Sequence, residues 1–180
     1  CSATALNFLP ASSIGGTTFN WTSSVIGTLS GVTASGSGAI TDTPVNTTNT
    51  SAVIIYNITP LVGGCAGTPV NYVVTVRPVP TASALPQAIC SGQATGVSIT
   101  NPNSVSGTTY TWTAAGTNVT GAASGTGNFI SQVLYSTDGV TSGSVTYSIT
   151  PSANGCPGPV FDVVVTVSPT PVMTNSAASL

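Results

Sequence analysis

Ionisable side chains are almost missing from this chain. It has one Lys or Arg, three acidic residues and no His among 180 residues. The cation is Arg77, the acids are Asp42, Asp138 and Asp162, and Glu does not occur. Without His or Glu, and with no two carboxylates close in sequence, general acid–base catalysis has no candidate pair. A Ser-His-Asp or Cys-His arrangement cannot be assembled, and His ligation of a metal is excluded. These absences argue against an enzyme and against a cofactor. No basic patch exists to meet phosphates, so nucleic acid is not an expected partner. No run of eighteen or more apolar residues occurs, so no membrane-spanning segment is expected. No signal peptide is expected within the chain either. The first residue is Cys1 and not Met, so a processed product or a segment of something longer is expected. Apolar spacing of helical period is missing as well, and proline, glycine and β-branched residues dominate, so no helix is expected.

The shortage of charge bears on the surface. Charged residues are 2% of the chain, against about a quarter in an ordinary soluble domain. Soluble monomers rely on surface charge to stay dispersed. Here the outward positions are Thr, Ser, Asn and Val. Such a surface is either covered by sugar or buried against copies of itself.

What the chain does have is alternation. In the stretch 144–171, Val145, Tyr147 and Ile149 point one way while Ser144, Thr146 and Ser148 point the other. Val163, Val165 and Val167 repeat this on a second arm, as expected for a hairpin with one buried face. Between the arms, Pro151–Pro159 cannot continue a ladder and favours turns. The same hairpin occurs earlier. Ile54, Tyr56 and Ile58 match Val145, Tyr147 and Ile149, and Gly64-Cys65 matches Gly155-Cys156, each pair 91 positions apart. The chain is therefore a tandem repeat, with modules expected at 1–89 and 90–180.

Each module has a second signature, Phe19-Asn20-Trp21-Thr22 in one and Tyr110-Thr111-Trp112-Thr113 in the other. A Trp alternating with an aromatic on one strand face reads as a core anchor more than as an exposed platform for sugars. Leu6 and Phe8 are expected to match Val97 and Ile99, with two extra residues at Gly92-Gln93. Gly36-Ser37-Gly38 and Gly125-Thr126-Gly127 read as turns. The stretches 27–51 and 114–128 read as Gly-, Ser- and Thr-rich connections. Arg77 to Ile89 is rich in proline, which stiffens a linker and keeps it out of a central strand. In the same phase Leu180 takes the place of Ile89. The expectation is one period of a longer array, or a subunit whose end abuts the start of the next.

The four cysteines, Cys1, Cys65, Cys90 and Cys156, point outside the cytosol and allow three pairings. Repeat symmetry selects Cys1–Cys65 with Cys90–Cys156, each joining a module's start to its hairpin turn. Closing such a loop stabilises by roughly 4 kcal/mol on chain entropy. Buried free thiols are the alternative. A lipidated Cys1 is a further one, weakened by the same Cys-Ser context at mid-chain Cys90.

Cys-Ser at each module start, aromatic-x-Trp-Thr, Val-Thr-Tyr-Ser-Ile-Thr-Pro, Asn-Gly-Cys and Val-Val-Thr-Val-x-Pro-x-Pro form an ordered set. It resembles the PKD-like, immunoglobulin-like repeats of large cell-surface proteins in Bacteroidota, including gliding and adhesion proteins. Module one matches more loosely, with Asn57 for Ser148 and Gly63 for Asn154. The resemblance implies an all-β chain of two tandem immunoglobulin-like (PKD-like) β-sandwiches of about seven strands each. It also implies secretion to the cell surface and a spacer, fibre or adhesive role, with no catalytic residues.

Five Asn-x-Ser/Thr sequons, at Asn20, Asn46, Asn49, Asn57 and Asn118, are candidate glycan sites. Alternation puts Asn20 and Asn57 on outward faces, and the other three fall in expected loops. Calcium would need six to eight oxygens. Asp138, Asp162 and Asn154 offer few, and Asp162 corresponds to Asn71 in module one. The function expected is a structural repeat unit of an extracellular fibre, filament or stalk, assembled head to tail with copies of itself. Donated strands from 172–180 are a variant. An adhesive module, or an accessory domain of a larger secreted protein, is the alternative.

Overall fold

The computed structural model describes residues 1–173. Most of the expected donated strand at 172–180, and the in-phase place of Leu180, lie outside the described residues. The described chain is all-β and forms two compact units. One contains Cys1–Val79 with 103–106 and 154–156, and the other contains the rest from Pro80.

In the first unit, Thr18–Ile26 lies between Ser35–Ser37 and the long strand Ala52–Val62. Val70–Val76 returns antiparallel along that long strand, pairing Val76 with Ala52 and Val70 with Ile58. Ala52, Ile54, Tyr56 and Ile58 are buried, as alternation requires. Each fully buried side chain of this size contributes about 1.5–3 kcal/mol. The facing layer is made of loops tied by the isolated bridges Phe8–Ile40 and Ser30–Val45.

In the second unit the sheet order is Gly125–Thr126, Thr109–Thr117, Gly143–Ala153, Phe161–Ser168 and Gln87–Cys90. Burial alternates without a break along Gly143–Ala153. The facing layer holds two short ribbons, Phe129–Ile130 with Val97–Ser98 and Tyr135–Ser136 with Val119–Thr120.

Three local expectations change. Phe8 bridges Ile40 where Val97 pairs Ile130. Phe8 therefore matches Val97 and not Ile99, and the two extra residues of the second module fall in the loop after Ile99. Ser35–Ser37 and Gly125–Thr126 are short strands and not turns. A Cβ on Gly36 would lie 2.4 Å from the Trp21 ring, and one on Gly125 would lie 2.6 Å from the Trp112 ring. Only glycine lets the backbone cross each indole so closely. Finally, Gln87–Cys90, expected within a linker, is an edge strand running parallel to Phe161–Ser168. It begins just after Pro86, where proline takes nothing from the ladder.

Candidate functional site

The cysteines depart most from expectation. The cystine is Cys1–Cys156, with a Cα–Cα distance of 5.6 Å, inside the first unit. Cys65 and Cys90 are free, exposed thiols. The expected pairs Cys1–Cys65 and Cys90–Cys156 are not formed, for a geometric reason. The Ser2 N–H donates to the Arg77 carbonyl, which places Cys1 at the end of the sheet where Ala52 pairs Val76. Cys65 pairs with Val62, at the far end of the same eleven-residue strand. At about 3.3 Å per residue that is roughly 33 Å. Cys90 pairs with Ser168 near Gly143, while Cys156 follows Ala153 at the far end of that strand. Start and turn cysteines of one module occupy opposite poles.

The sequons divide. Asn20, Asn49, Asn57 and Asn118 are exposed. Asn57 donates to the Asn71 side-chain oxygen across the hairpin at 2.8 Å. Asn46 is removed as a glycan candidate. It is buried, and its Nδ2 donates to the carbonyls of Thr50 at 2.8 Å and Val76 at 3.0 Å. Its Oδ1 accepts from the N–H and hydroxyl of Thr48, so the sequon is a closed Asx turn.

A polar pair that sequence reading missed sits in each core. In the first unit the Tyr56 hydroxyl donates to buried Asp42 at 2.6 Å, and Thr33 donates to the same carboxylate through its N–H and its hydroxyl. Burial raises the Asp42 pKa, but the hydrogen bonds from Thr33 and Tyr56 outweigh it and leave it below the usual carboxylate value. Burial, then the Asp42 hydrogen bond and charge, pushes the Tyr56 phenol up. In the second unit the Tyr147 hydroxyl donates to Gln132 at 2.9 Å, and Gln132 exchanges hydrogen bonds with the Ala123 backbone. Asp42 and Gln132 fill one role, and comparing the two modules at an offset of ninety would have exposed it.

The expected calcium donors are otherwise engaged. Asp138 accepts from the N–H groups of Val140 and Thr141 and from the hydroxyls of Ser136 and Thr141, closing its own turn. Those hydrogen bonds, the Thr141 hydroxyl first, hold its carboxyl well below the usual range. Asp162 is exposed on its strand opposite Ser148. The Asn154 carbonyl accepts from the Arg77 guanidinium at 2.9 Å. Among the described residues no three His, Cys, Asp or Glu side chains converge.

The last feature is an open apolar groove in the first unit, of about 430 Å³. It is lined by Phe8, Pro10, Phe19, Pro60 and Tyr72 among others. Phe8 and Tyr72 stack along it with ring centroids 3.9 Å apart. The second unit has matching positions at Val97, Ile99, Tyr110, Pro151 and Val163, and there they are buried. Segment 80–90 accounts for the difference. Ala82 is buried in the core, Ala84 and Ile89 pack on it, and Ser83 bridges Thr100. In the first unit Val70–Val76 pairs only with Ala52–Val62, and its other edge carries no strand among the described residues.

A family model for the PKD-like domain matches residues 1–80 and, a second time, residues 87–171. The chain belongs to the PKD-like domain family. Both PKD-like domains here are immunoglobulin-like β-sandwiches in tandem, and the fold is typically non-catalytic. PKD-like domains are typically extracellular repeat modules and often form arrays. No curated protein matches the chain. Trp21 is 6% and Trp112 7% exposed, so the aromatic signature of these PKD-like domains anchors the core and presents no platform. No helix among the described residues is long and apolar enough to cross a membrane.

Proposed function

We propose that this chain is a structural repeat unit of an extracellular fibre, filament or surface stalk, with repeat periods 1–89 and 90–180, assembled head to tail from copies of itself. The observation that carries the reading is the contrast at segment 80–90. The connection leaving the first repeat completes the second sandwich, as core cover and edge strand. At the matching place the first unit has an open groove and a strand edge that carries no strand among the described residues. Residues 171–180 of another copy are in phase with 80–89, and strand addition at an edge is a general mode of joining chains. A contact between unlike surfaces that does not close on itself gives an open assembly. With 2% charged residues, Thr, Ser and Val surfaces approach without repulsion. Exposed Asn20, Asn49, Asn57 and Asn118, with surface Ser and Thr, are the places where sugar would sit.

Electron microscopy tests the reading. The full chain is expected to form fibres, and a chain ending at Pro171 is expected to form none. Separate globular particles from the full chain would count against the proposal. An intact mass of native material equal to the bare 17.6 kDa per unit would remove the sugar from it.

A further inference from the structure

We infer that Cys65 and Cys90 are the two halves of a further staple, in which Cys90 of one copy of this chain bonds Cys65 of the next. The inference rests on the head-to-tail reading above. The cystine that is formed joins the start cysteine of one repeat, Cys1, to the turn cysteine of the following repeat, Cys156. The two thiols left over are the complementary pair, the start cysteine of the second repeat and the turn cysteine of the first. Both are exposed.

Each free cysteine is presented as its bonded counterpart is. The turn before Cys65 has φ of +56° at Gly63 and +84° at Gly64, and the turn before Cys156 has +52° at Asn154 and +79° at Gly155. Next to Cys90, the Ser91 N–H donates to the Ser168 carbonyl at 2.8 Å, as the Ser2 N–H beside Cys1 donates to Arg77 at 2.8 Å. One residue on, Gly92 donates to Leu134 at 2.7 Å where Ala3 donates to Pro44 at 2.9 Å, and both have positive φ. Start and turn are therefore both preformed, and neither can close on its own module, whose other cysteine is roughly ten residues of strand away. A start-to-turn bond between copies leaves one free start and one free turn at the ends of the product, so it propagates. A turn-to-turn or start-to-start bond would stop at two copies.

The step needs an oxidant, and a small-molecule disulfide supplies it. The Cys90 thiolate attacks that disulfide, forms a mixed disulfide and expels one small thiol. The Cys65 thiolate of the next copy then attacks the Cys90 sulfur and expels the second. Two protein S–H bonds and one S–S bond become one protein S–S bond and two small thiols.

The test is to incubate the purified chain with oxidised glutathione, separate it without reductant and map its cystines by mass spectrometry. A ladder at multiples of 17.6 kDa is expected, lost on reduction and carrying a Cys65–Cys90 cross-link. Cys65→Ser and Cys90→Ser, both at exposed sites, should each stay a single copy, the remaining thiol capped by glutathione. Mixing those two variants should give a dimer linked through Cys65 and Cys90. Cross-links confined to Cys65–Cys65 or Cys90–Cys90 would overturn the staple. Fibres in which both thiols stay free would overturn it too, while leaving the head-to-tail reading intact. Absence of fibres in both redox states would sink that reading, and the staple with it.

Discussion

Tyr110, Pro151 and Val163 are buried in the second unit, whereas their counterparts Phe19, Pro60 and Tyr72 in the first are only half-buried. The strands beneath them are alike. Both units carry a Trp under a glycine strand, a buried Tyr at the centre of the long strand and a return strand in the same register. What differs is the segment laid over them. Residues 80–90 reach the second sandwich from the chain ahead of it. The lesson is that residues 90–180 alone do not finish this sandwich: Ala82 and most of the edge strand Gln87–Cys90 lie ahead of them. In the second unit that last side is supplied by the segment running in from the first repeat.

The largest expected effect tests the shared frame. Trp21→Ala and Trp112→Ala should each destabilise their own unit by about 3–5 kcal/mol. Each unit holds one of the two Trp, so in each Ala variant circular dichroism in urea reads the altered unit while the remaining Trp reports the other. For the changes below, fluorescence of Trp21→Phe and Trp112→Phe backgrounds reads the units separately. A cost confined to one unit would break the equivalence. Next comes the cover. Ala82→Glu places a charge in the second core with no partner, and should cost that unit about 2–4 kcal/mol. The first unit should not respond, because it has no such cover.

The smallest effect concerns the polar pair. Asp42→Ala strands the Tyr56 hydroxyl and should cost the first unit about 1–3 kcal/mol. The pH dependence has a definite sign. The folded Asp42 pKa lies below its ordinary 3.8, so its contribution is full above that value and is lost as pH falls through the lower folded one. Asp42 is the only acidic side chain in 1–79. Urea midpoints of the first unit should therefore drop on acidification, and Asp42→Asn should flatten that drop. Gln132 gains no proton, so the Tyr147 contact should hold throughout. The Asp138 turn, whose carboxyl is also held low by its hydrogen bonds, should give the second unit an acid response of the same sign.

Much of the frame was legible. Period-two alternation gave the long strands and their buried faces, because a strand has only two sides. The Trp signature gave the core anchor. The cystine was misread for a physical reason: repeat symmetry says which cysteines are alike and nothing about which pole each occupies. The eleven residues of Ala52–Val62 already separated Cys65 from the start of its module. Prolines within 77–89 bar only a central strand, and Pro86 stops just short of Gln87–Cys90, which pairs at the sheet edge. Asn46 was placed in an exposed loop because the Gly-, Ser- and Thr-rich stretch 27–51 reads as a connection. In fact the Thr48 of its sequon closes the turn that buries it. The Asp42 and Gln132 roles were missed because different residue types hold the two tyrosines and lie ninety, not ninety-one, positions apart.

Arg77 carries a consequence for durability. Enzymes that cut after basic residues find one candidate bond in the whole sequence, the one before Pro78. Proline on the far side of that bond fixes its backbone and removes the N–H that a protease would grip. Pro78 is buried, and the guanidinium is already held by the Asn154 carbonyl. Material built from this chain would pass intact through trypsin-like digestion that shreds ordinary lysine-bearing surfaces.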